Sequence, residues 1–343
     1  MREPEFWWRA AQGPVRLLAP LAAIYAAVAA WRLGRRGRRV AAPVVCIGNP
    51  TLGGAGKTPT ALAVARMLAA AGERPVFLTR GYGGTVVGPM QADPARHRAS
   101  EVGDEPLLLA RIAPTIVARD RLAGGRMAVA AGATVIVMDD GFQNPSVAKD
   151  FSVLVIDARR GIGNGRVFPA GPLRAALAAQ LVRAHALVVV GNSPCDARLE
   201  QDTRARGLPM FRARLQPQPS PAVPLAGRRV LAFAGIADPE KFFSTLAEAG
   251  AEVIVTRSFP DHHRYTPAQA KLLCVEADRA RLTLITTEKD HARLAGDKRL
   301  APLAARAQTL PVTLIFDDED RFKRLLIETL ATAKGLSALQ SSG

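Results

Sequence analysis

Residues 44–67 read VVCIGNPTLGGAGKTPTALAVARM, and the fold turns on how that stretch divides. Val44 to Ile47 is a short apolar run with strand character, followed by a glycine-rich turn. From Lys57 onward Ala61, Leu62, Val64, Ala65 and Leu68 recur at helical spacing. Strand, glycine loop, Lys-Thr and helix together make a phosphate cradle. Gly53, Gly54 and Gly56 let backbone N–H groups turn inward with no Cβ in the way. The new helix aims its free N–H groups and positive dipole end at the same spot. Lys57 reaches the terminal phosphates, and the Thr58 hydroxyl is placed to ligate Mg²⁺. The general pattern G-x-x-x-x-G-K-[ST] asks for glycine at position 51, where this chain has Thr51. The expected ligand is a nucleoside triphosphate, held by Thr51, Leu52, Gly53, Gly54, Ala55, Gly56, Lys57 and Thr58.

A chain of 343 residues makes two domains the natural expectation. A hydrophobic share of 48% supports real cores, and many Ala, Gly and Val residues suit an α/β protein. The formal charge of +16 points to an anionic partner. Nucleic acid is not the expected one, because aromatics make up only 5% and leave few stacking platforms. Cys46, Cys195 and Cys274 lie far apart, with no C-x-x-C pair, so neither a disulfide framework nor a zinc site is expected.

Residues 1–40 stand apart. Phe6, Trp7 and Trp8 come first, then an uncharged run from Leu17 to Trp31, then Arg32, Arg35, Arg36, Arg38 and Arg39. That run is shorter than the roughly 20 residues a bilayer span needs. Dense arginines after it, and a nucleotide loop after them, argue against a cleaved export signal. The expectation is a helix lying on the cytoplasmic membrane face, with aromatic anchors and a polybasic flank for anionic lipid. The competing reading is a helix packed on the protein's own core.

Pro75 to Thr79 reads as a second strand and ends in Arg80-Gly-Tyr-Gly-Gly84, at the strand end where open α/β sheets bind ligands. Gly103-Asp104-Glu105-Pro106 opens an apolar helical run, in which Asp104 is either a functional acid or a helix N-cap. Thr134 to Met138 is a buried-strand run ending in Asp139-Asp140-Gly-Phe-Gln143, the pattern of a magnesium-holding acid downstream of a phosphate loop. Ser152 to Asp157 and Ala186 to Gly191 add two more strands. The stretch between them, with Phe168-Pro-Ala-Gly-Pro-Leu-Arg174, is long and irregular, as functional loops often are.

Gln216 to Pro224 holds four prolines in nine residues and reads as a linker. A fresh α/β pattern follows, with strands at 229–234, 252–256, 282–286 and 312–316 and a last helix from Asp318 to Ala333. Ser337 to Gly343 reads as a frayed tail. Two polar clusters sit on loops here, Phe259-Pro-Asp-His-His-Arg-Tyr265 and Thr286-Thr-Glu-Lys-Asp-His291. His262 follows a strand at the end expected to face the first domain, where a histidine can orient a base or touch phosphate. His97 and His185 carry no assignment. The expected fold class is α/β, with two parallel-sheet α/β domains, the first a P-loop NTPase-type fold. The boundaries are an N-terminal membrane-associated helix at 1–40, a P-loop nucleotide-binding domain at 41–215, a linker at 216–225 and a smaller domain at 226–335.

GNPTLGGAGKTP (48–59), TRGYGG (79–84), VGDEP (102–106), DDGFQN (139–144), PAGPLR (169–174), FPDHHRY (259–265) and TTEKDH (286–291) occur in one order along the chain. In this the sequence resembles the tetraacyldisaccharide 4'-kinase family, the lipid A kinases of Gram-negative bacteria, over nearly its whole length. The Thr51 start agrees with that family's looser loop pattern. The resemblance implies ATP- and Mg²⁺-dependent phosphorylation of the 4'-hydroxyl of a tetraacyl glucosamine disaccharide 1-phosphate. It implies a peripheral enzyme on the cytoplasmic face of the bacterial inner membrane, with that acylated phosphate and an anionic membrane surface as partners and no obligate protein partner. It also implies Asp104 as base on the sugar hydroxyl, paired with His262. Asp140, with Asp139 beside it, would handle magnesium with Thr58, and Gln143 would support that site. One position departs: the family usually has Glu after Pro-Leu-Arg, and Ala175 stands here, so any metal or positioning role of that acid is absent or supplied elsewhere, with Asp157 one candidate. The alternative is a soluble P-loop ATPase or GTPase of the partitioning or metal-chaperone type. Those loops usually carry Lys before the double glycine, where this chain has Leu52.

Overall fold

The computed structural model describes residues 4–8, 13–218 and 225–341. Its strands are β1 (Val44–Gly48), β2 (Pro75–Thr79), β3 (Met90–Gln91), β4 (Thr115–Val117), β5 (Val135–Asp139), β6 (Phe151–Asp157), β7 (Ala186–Val190), β8 (Met210–Pro217), β9 (Arg229–Ala234), β10 (Glu252–Ser258), β11 (Thr283–Thr286), β12 (Gln308–Thr309) and β13 (Val312–Phe316). One sheet has the order β13-β8-β7-β6-β1-β5-β2-β4-β3, and a second has the order β10-β9-β11-β12. β1, β2, β5, β6 and β7 are buried along their whole length. Continuous apolar strands of this kind need cover on both faces, which is what parallel α/β sheets provide. One face packs Val45, Ile47 and Val153 against Val64 and Leu68 of the helix Lys57–Ala70. The opposite face packs Cys46, Met138 and Leu154 against Leu33 and Ala128.

The pairing brings distant motifs to one rim. β1 lies between β5 and β6, parallel to both, with Ile47 opposite Asp139 and Gly48 opposite Leu154. The glycine loop after β1, the two aspartates after β5 and Asp157 ending β6 therefore share the carboxyl edge of the sheet. That edge is where ligands bind in open α/β folds. In the second sheet β9 is parallel to β10 and β11, and β11 to β12. Its carboxyl ends face the first sheet's rim, as the contacts below establish.

Several boundaries differ from the sequence expectation. Val312–Phe316 was assigned to the second unit, but it pairs antiparallel with β8 in the large sheet. The helix Glu319–Ser341 follows it and buries Phe322, Leu326 and Leu330 in the large sheet's core. The chain thus leaves the first sheet at Pro217 and comes back to it at Val312. The expected linker begins inside β8, and its residues 219–224 lie outside the described residues. The last helix continues through most of the expected frayed tail, of which residues 342–343 lie outside the description. β8 and the short helices Leu177–Leu181, Ala197–Arg204, Glu288–Leu294 and Ala301–Arg306 were not anticipated.

The first helix, Gly13–Gly34, has 22 residues and takes in Arg16 and Arg32 at its ends. The uncharged run alone is too short for a span, but the helix containing it is long and apolar enough by length and composition. Leu17, Leu21, Ile24, Val28 and Trp31 are exposed on it, which is not the pattern of a helix packed on its own core. A few contacts moor it. Tyr25 meets Phe168 edge-on with ring centroids 5.2 Å apart, and Leu33 enters the core. Upstream, Trp7 Nε1 donates to Pro169 O at 3.0 Å.

Candidate functional site

The glycine loop closes on itself before any ligand arrives. Gly56, at φ 86°, caps the helix Lys57–Ala70 with its Cα turned toward Val190, where a side chain would be strained. Asn49 Nδ2 donates to Gly53 O at 3.0 Å, and Lys57 Nζ donates to Asn49 Oδ1 at 3.2 Å. The irregular 169–174 stretch braces the loop from behind. Leu52 N donates to Pro172 O at 2.8 Å, and Arg174 Nε donates to Thr51 O at 3.0 Å. Leu52, Gly53, Gly54, Gly56, Lys57 and Thr58 line a cavity of about 510 Å³ between the two sheets. Thr51 and Ala55 are buried behind the loop. From the second sheet's side the cavity receives Ile236, Phe242, His262 and Lys289, so it joins a polar phosphate end to an apolar end.

Asp139, ending β5, is buried, and its Oδ2 accepts from Thr58 Oγ1 at 3.2 Å. Its Oδ1 is buried with no hydrogen-bond partner among the described residues. Burial above all, with the charges of Glu105 and Asp140 added, pushes the Asp139 carboxyl up to about 7. Asp140 points elsewhere: its carboxylate lies 3.8 Å from Lys57 Nζ and 3.1 Å from Arg174 Nη1. Burial alone would raise Asp140, but Lys57 and Arg174 outweigh it and hold the acid below the ordinary carboxylate value. Burial in turn lowers Lys57. Gln143 lies behind this pair rather than facing Thr58. Its amide donates to Asn49 O at 3.0 Å, and its Oε1 accepts from Arg174 Nη1 at 3.3 Å. The four residues expected around a metal therefore fall into two sets, Thr58 with Asp139 and Asp140 with Gln143.

Asp104 comes to this rim through backbone interleaving. The Gly81–Gly84 turn lies directly on residues 101–103, and a Cβ on Gly103 (φ 92°) would sit 2.6 Å from Tyr82 O. Asp104 is the first residue of the helix Asp104–Leu109, whose N-cap is Gly103, so the N-cap role is taken by its neighbour. Its carboxylate is buried, and Oδ2 lies 3.3 Å from His262 Nδ1. The same oxygen accepts from Arg293 Nε at 2.7 Å and from Arg293 Nη2. Arg293 also donates to Asp290 Oδ1 at 2.8 Å and to Gly235 O at 2.6 Å. Asp290, fully buried, accepts in turn from the Tyr265 hydroxyl at 2.8 Å. Asp104 belongs to the first sheet's side and His262, Arg293, Asp290, Gly235 and Tyr265 to the second, so one network crosses the seam.

Four further ion pairs cross it among the described residues: Lys289 with Glu105 (2.6 Å), Lys241 with Asp157 (2.9 Å), Arg111 with Glu288 (4.0 Å) and Arg159 with Asp238. Glu105 Oε1 also lies 3.4 Å from the Thr58 hydroxyl. Asp157, the candidate stand-in for an acid at position 175, is thus already engaged by Lys241. Ala175 is fully buried among apolar residues. Asp140 (φ 53°) and His262 (φ 55°) are two of only three non-glycine residues in the left-handed region among those described. Such strain persists where surrounding structure enforces it, commonly at functional sites.

Burial raises Asp104, but the His262 hydrogen bond and the Arg293 and Lys289 charges outweigh it and hold the carboxyl well below the usual range. For His262, burial lowers the imidazole, and the hydrogen bond and charge of Asp104 outweigh it and raise it. A raised imidazole contributes stability that is full below the ordinary histidine value near 6.5 and is lost as pH climbs through the raised value. The stability deficit of His262→Gln, read by urea unfolding, is therefore expected to be larger at pH 6 than at pH 9. An equal deficit at both would refute the charged pair.

Arg293, Lys289, Glu105, Arg174 and Asn49 were not singled out from the sequence. Lys289, Glu105, Arg174 and Asn49 lie within the seven motifs, whereas Arg293 lies two residues past one, with its partner 189 positions away.

A family model described as tetraacyldisaccharide-1-P 4'-kinase matches residues 14–331. A protein of Methylobacterium nodulans named tetraacyldisaccharide 4'-kinase is 55% identical over 321 residues, 93% of each chain. One of the same name from Rhodopseudomonas palustris is 52% identical over 334 residues, 97% of each chain. Among solved structures, a crystal structure of LpxK from Aquifex aeolicus, described as its "apo" form in complex with ATP, matches with a TM-score of 0.72. It is 25% identical and covers 92% of this chain and 99% of that one.

Proposed function

The chain belongs to the tetraacyldisaccharide 4'-kinase family, and from that premise we infer how its own residues carry the reaction. ATP gives its γ-phosphoryl group to the 4'-hydroxyl of a tetraacyl glucosamine disaccharide 1-phosphate, a step of lipid A synthesis. The observation that carries this reading is the Asp104–His262 pair, set at the seam beside the phosphate cradle. Phosphoryl transfer needs positioning and charge neutralisation more than covalent chemistry. Lys57 and the loop N–H groups hold the phosphates, with Lys57 kept beside Asp140 and Asn49 until they arrive. Asp104 takes the proton of the acceptor hydroxyl as the oxygen–phosphorus bond forms, and His262 orients it. Arg293 keeps Asp104 ionised. Gln143 acts by steering Arg174.

The magnesium site fits this chain. The orphaned Asp139 Oδ1 and the adjoining Thr58 hydroxyl offer hard oxygen donors. Thr58 and Asp139 would hold the ion, with Asp140 completing the site once phosphates draw Lys57 away. A magnesium ion held there would supply positive charge that offsets the charge of the phosphates. Among the described residues no three His, Cys, Asp or Glu side chains gather as a metal cage.

The exposed apolar face of Gly13–Gly34 and the arginines after it fit an enzyme whose acceptor stays in the cytoplasmic face of the inner membrane. Each Arg near an anionic surface adds about 1 kcal/mol. The triple change Leu21→Glu, Ile24→Glu and Val28→Glu is expected to abolish flotation with anionic liposomes and leave ATP affinity unchanged. Undiminished flotation would refute the anchor. The soluble partitioning or metal-chaperone reading is not favoured, since the family match runs on through the second sheet. The deciding experiment is transfer of labelled γ-phosphate from ATP to the acylated disaccharide phosphate. ATP turnover that leaves the glycolipid unlabelled would overturn the reading.

A further inference from the structure

The sequence offers Phe6, Trp7 and Trp8 as aromatic anchors for lipid, but the structure divides them. Phe6 and Trp8 are half-buried, whereas Trp7 is only 6% exposed, so its indole does not face a membrane. It enters the irregular 163–174 stretch instead. Its Nε1 donates to Pro169 O at 3.0 Å, the partner a buried indole N–H needs, and its ring meets Phe168 edge-on at 6.0 Å. Asn164 grips the same turn. Its N donates to Trp7 O at 2.8 Å, and its Nδ2 donates to Phe6 O at 3.2 Å and Ala170 O at 2.9 Å. A Cβ on Gly163 (φ 58°) would sit 2.5 Å from Trp7 O and 2.7 Å from Pro172 Cγ, so only a glycine lets those two close together.

The far end of the same stretch carries the entering limb of the glycine loop. Pro172 O accepts from Leu52 N at 2.8 Å, Arg174 N donates to Pro50 O at 2.8 Å, and Leu173 pairs antiparallel with Thr51. The Arg174 side chain then fixes Thr51 O and Asp140. Between its two ends the stretch is bonded to itself, Phe168 N to Leu173 O at 2.9 Å and Leu173 N to Arg166 O at 3.0 Å. It therefore shifts as one block, and a change of seat at Pro169 is carried to Pro172. Trp7 does not line the nucleotide cavity. Two hydrogen-bonded steps nevertheless join its indole to the backbone that curls around the phosphates.

We propose that Trp7 is a positioning residue of the kinase, seating the 163–174 block so that residues 50–52 hold the glycine loop in the shape that ATP needs. This rests on the phosphate-cradle part of the kinase reading. A loop not held in that shape must be ordered when ATP arrives, and the ordering costs affinity. The test uses the full chain in neutral detergent micelles, as wild type, Trp7→Phe and Asn164→Asp. Phenylalanine keeps a ring against Phe168 and loses only the indole donor. Aspartate keeps the acceptor for Arg166 N and loses the donors to Phe6 O and Ala170 O. Each variant is expected to bind ATP about 3- to 10-fold more weakly by calorimetry, the effect of a lost hydrogen bond or two. Amide hydrogen exchange across 50–56 should quicken by about 3-fold or more, with that of β6 unchanged. The KM for the acceptor and flotation with anionic liposomes should not move. Reduced flotation with ATP affinity kept would make Trp7 a lipid anchor and overturn the proposal. A lower urea midpoint with ATP affinity and loop exchange kept would make its role structural only, and would overturn it equally. Failure of the wild type to bind ATP would instead fall on the cradle reading itself.

Discussion

Asp104→Asn is expected to lower kcat by about 10²- to 10⁴-fold while ATP still binds, because the amide cannot take the acceptor proton. Asp104 is an unusual base, since Arg293 and His262 hold its carboxyl well below the ordinary range. A weak base suffices here. In a loose phosphoryl-transfer transition state the acceptor oxygen has formed little bond, and its proton becomes acidic only late. The low value ensures that Asp104 is ionised at every working pH, and Arg293 fixes the oxygen that His262 faces. The substitution also unbalances a buried ion pair. Stranding a buried charge typically costs about 3–5 kcal/mol, but Arg293 keeps Asp290 and Gly235 O, so the loss should fall below that range. Measuring kcat on protein shown to be folded by urea unfolding separates the two effects. A folded Asp104→Asn enzyme with near-normal kcat would remove Asp104 from the base role.

The parts of this site that could be read in the sequence are those whose chemistry lies in contiguous residues. Lys57 and Thr58 follow their glycines by a few positions, and Asp139 ends a run too apolar to be anything but a buried strand. Arg293 could not be read in that way. It lies on the seven-residue helix Glu288–Leu294, too short for a periodic signal, and its meaning comes from a carboxylate on the first sheet's side. β8 was missed for a related reason. Its residues MFRARLQP are only half buried, because it lies near the sheet's margin with β13 as its outer neighbour. β13 itself was found as a strand and then assigned to the wrong sheet. An apolar run records burial, but not the partner that supplies it, and here the partner is antiparallel and about 100 positions upstream. Each of the seven motifs contributes residues to the cavity. What they lacked was the seam, where Lys289, Lys241 and Arg293 reach acids of the first sheet.

Lys57→Met is expected to have a comparably large effect, lowering kcat/KM for ATP by about 10³-fold or more. Methionine keeps most of the side-chain volume, so the loop and its Asn49–Gly53 bond should survive. The charge arrangement would not. Lys57 is one of two cations beside Asp140, and burial already weakens its hold on the proton. Without it, Asp140 keeps Arg174 as its ion-pair partner, and the rim of Asp139, Asp140 and Glu105 turns more negative where the nucleotide's phosphates must enter. The variant should therefore lose ATP affinity as well as turnover, whereas Asp104→Asn should lose turnover alone. Added Asp140→Asn offers the sharper test. If repulsion is the main fault of Lys57→Met, the double variant should recover ATP binding, read by calorimetry, without recovering kcat. If Lys57 acts chiefly by touching the transferred phosphoryl group, the double variant should bind no better than the single one. A Lys57→Met enzyme with unchanged kcat/KM would contradict both accounts and remove the glycine loop from phosphate binding.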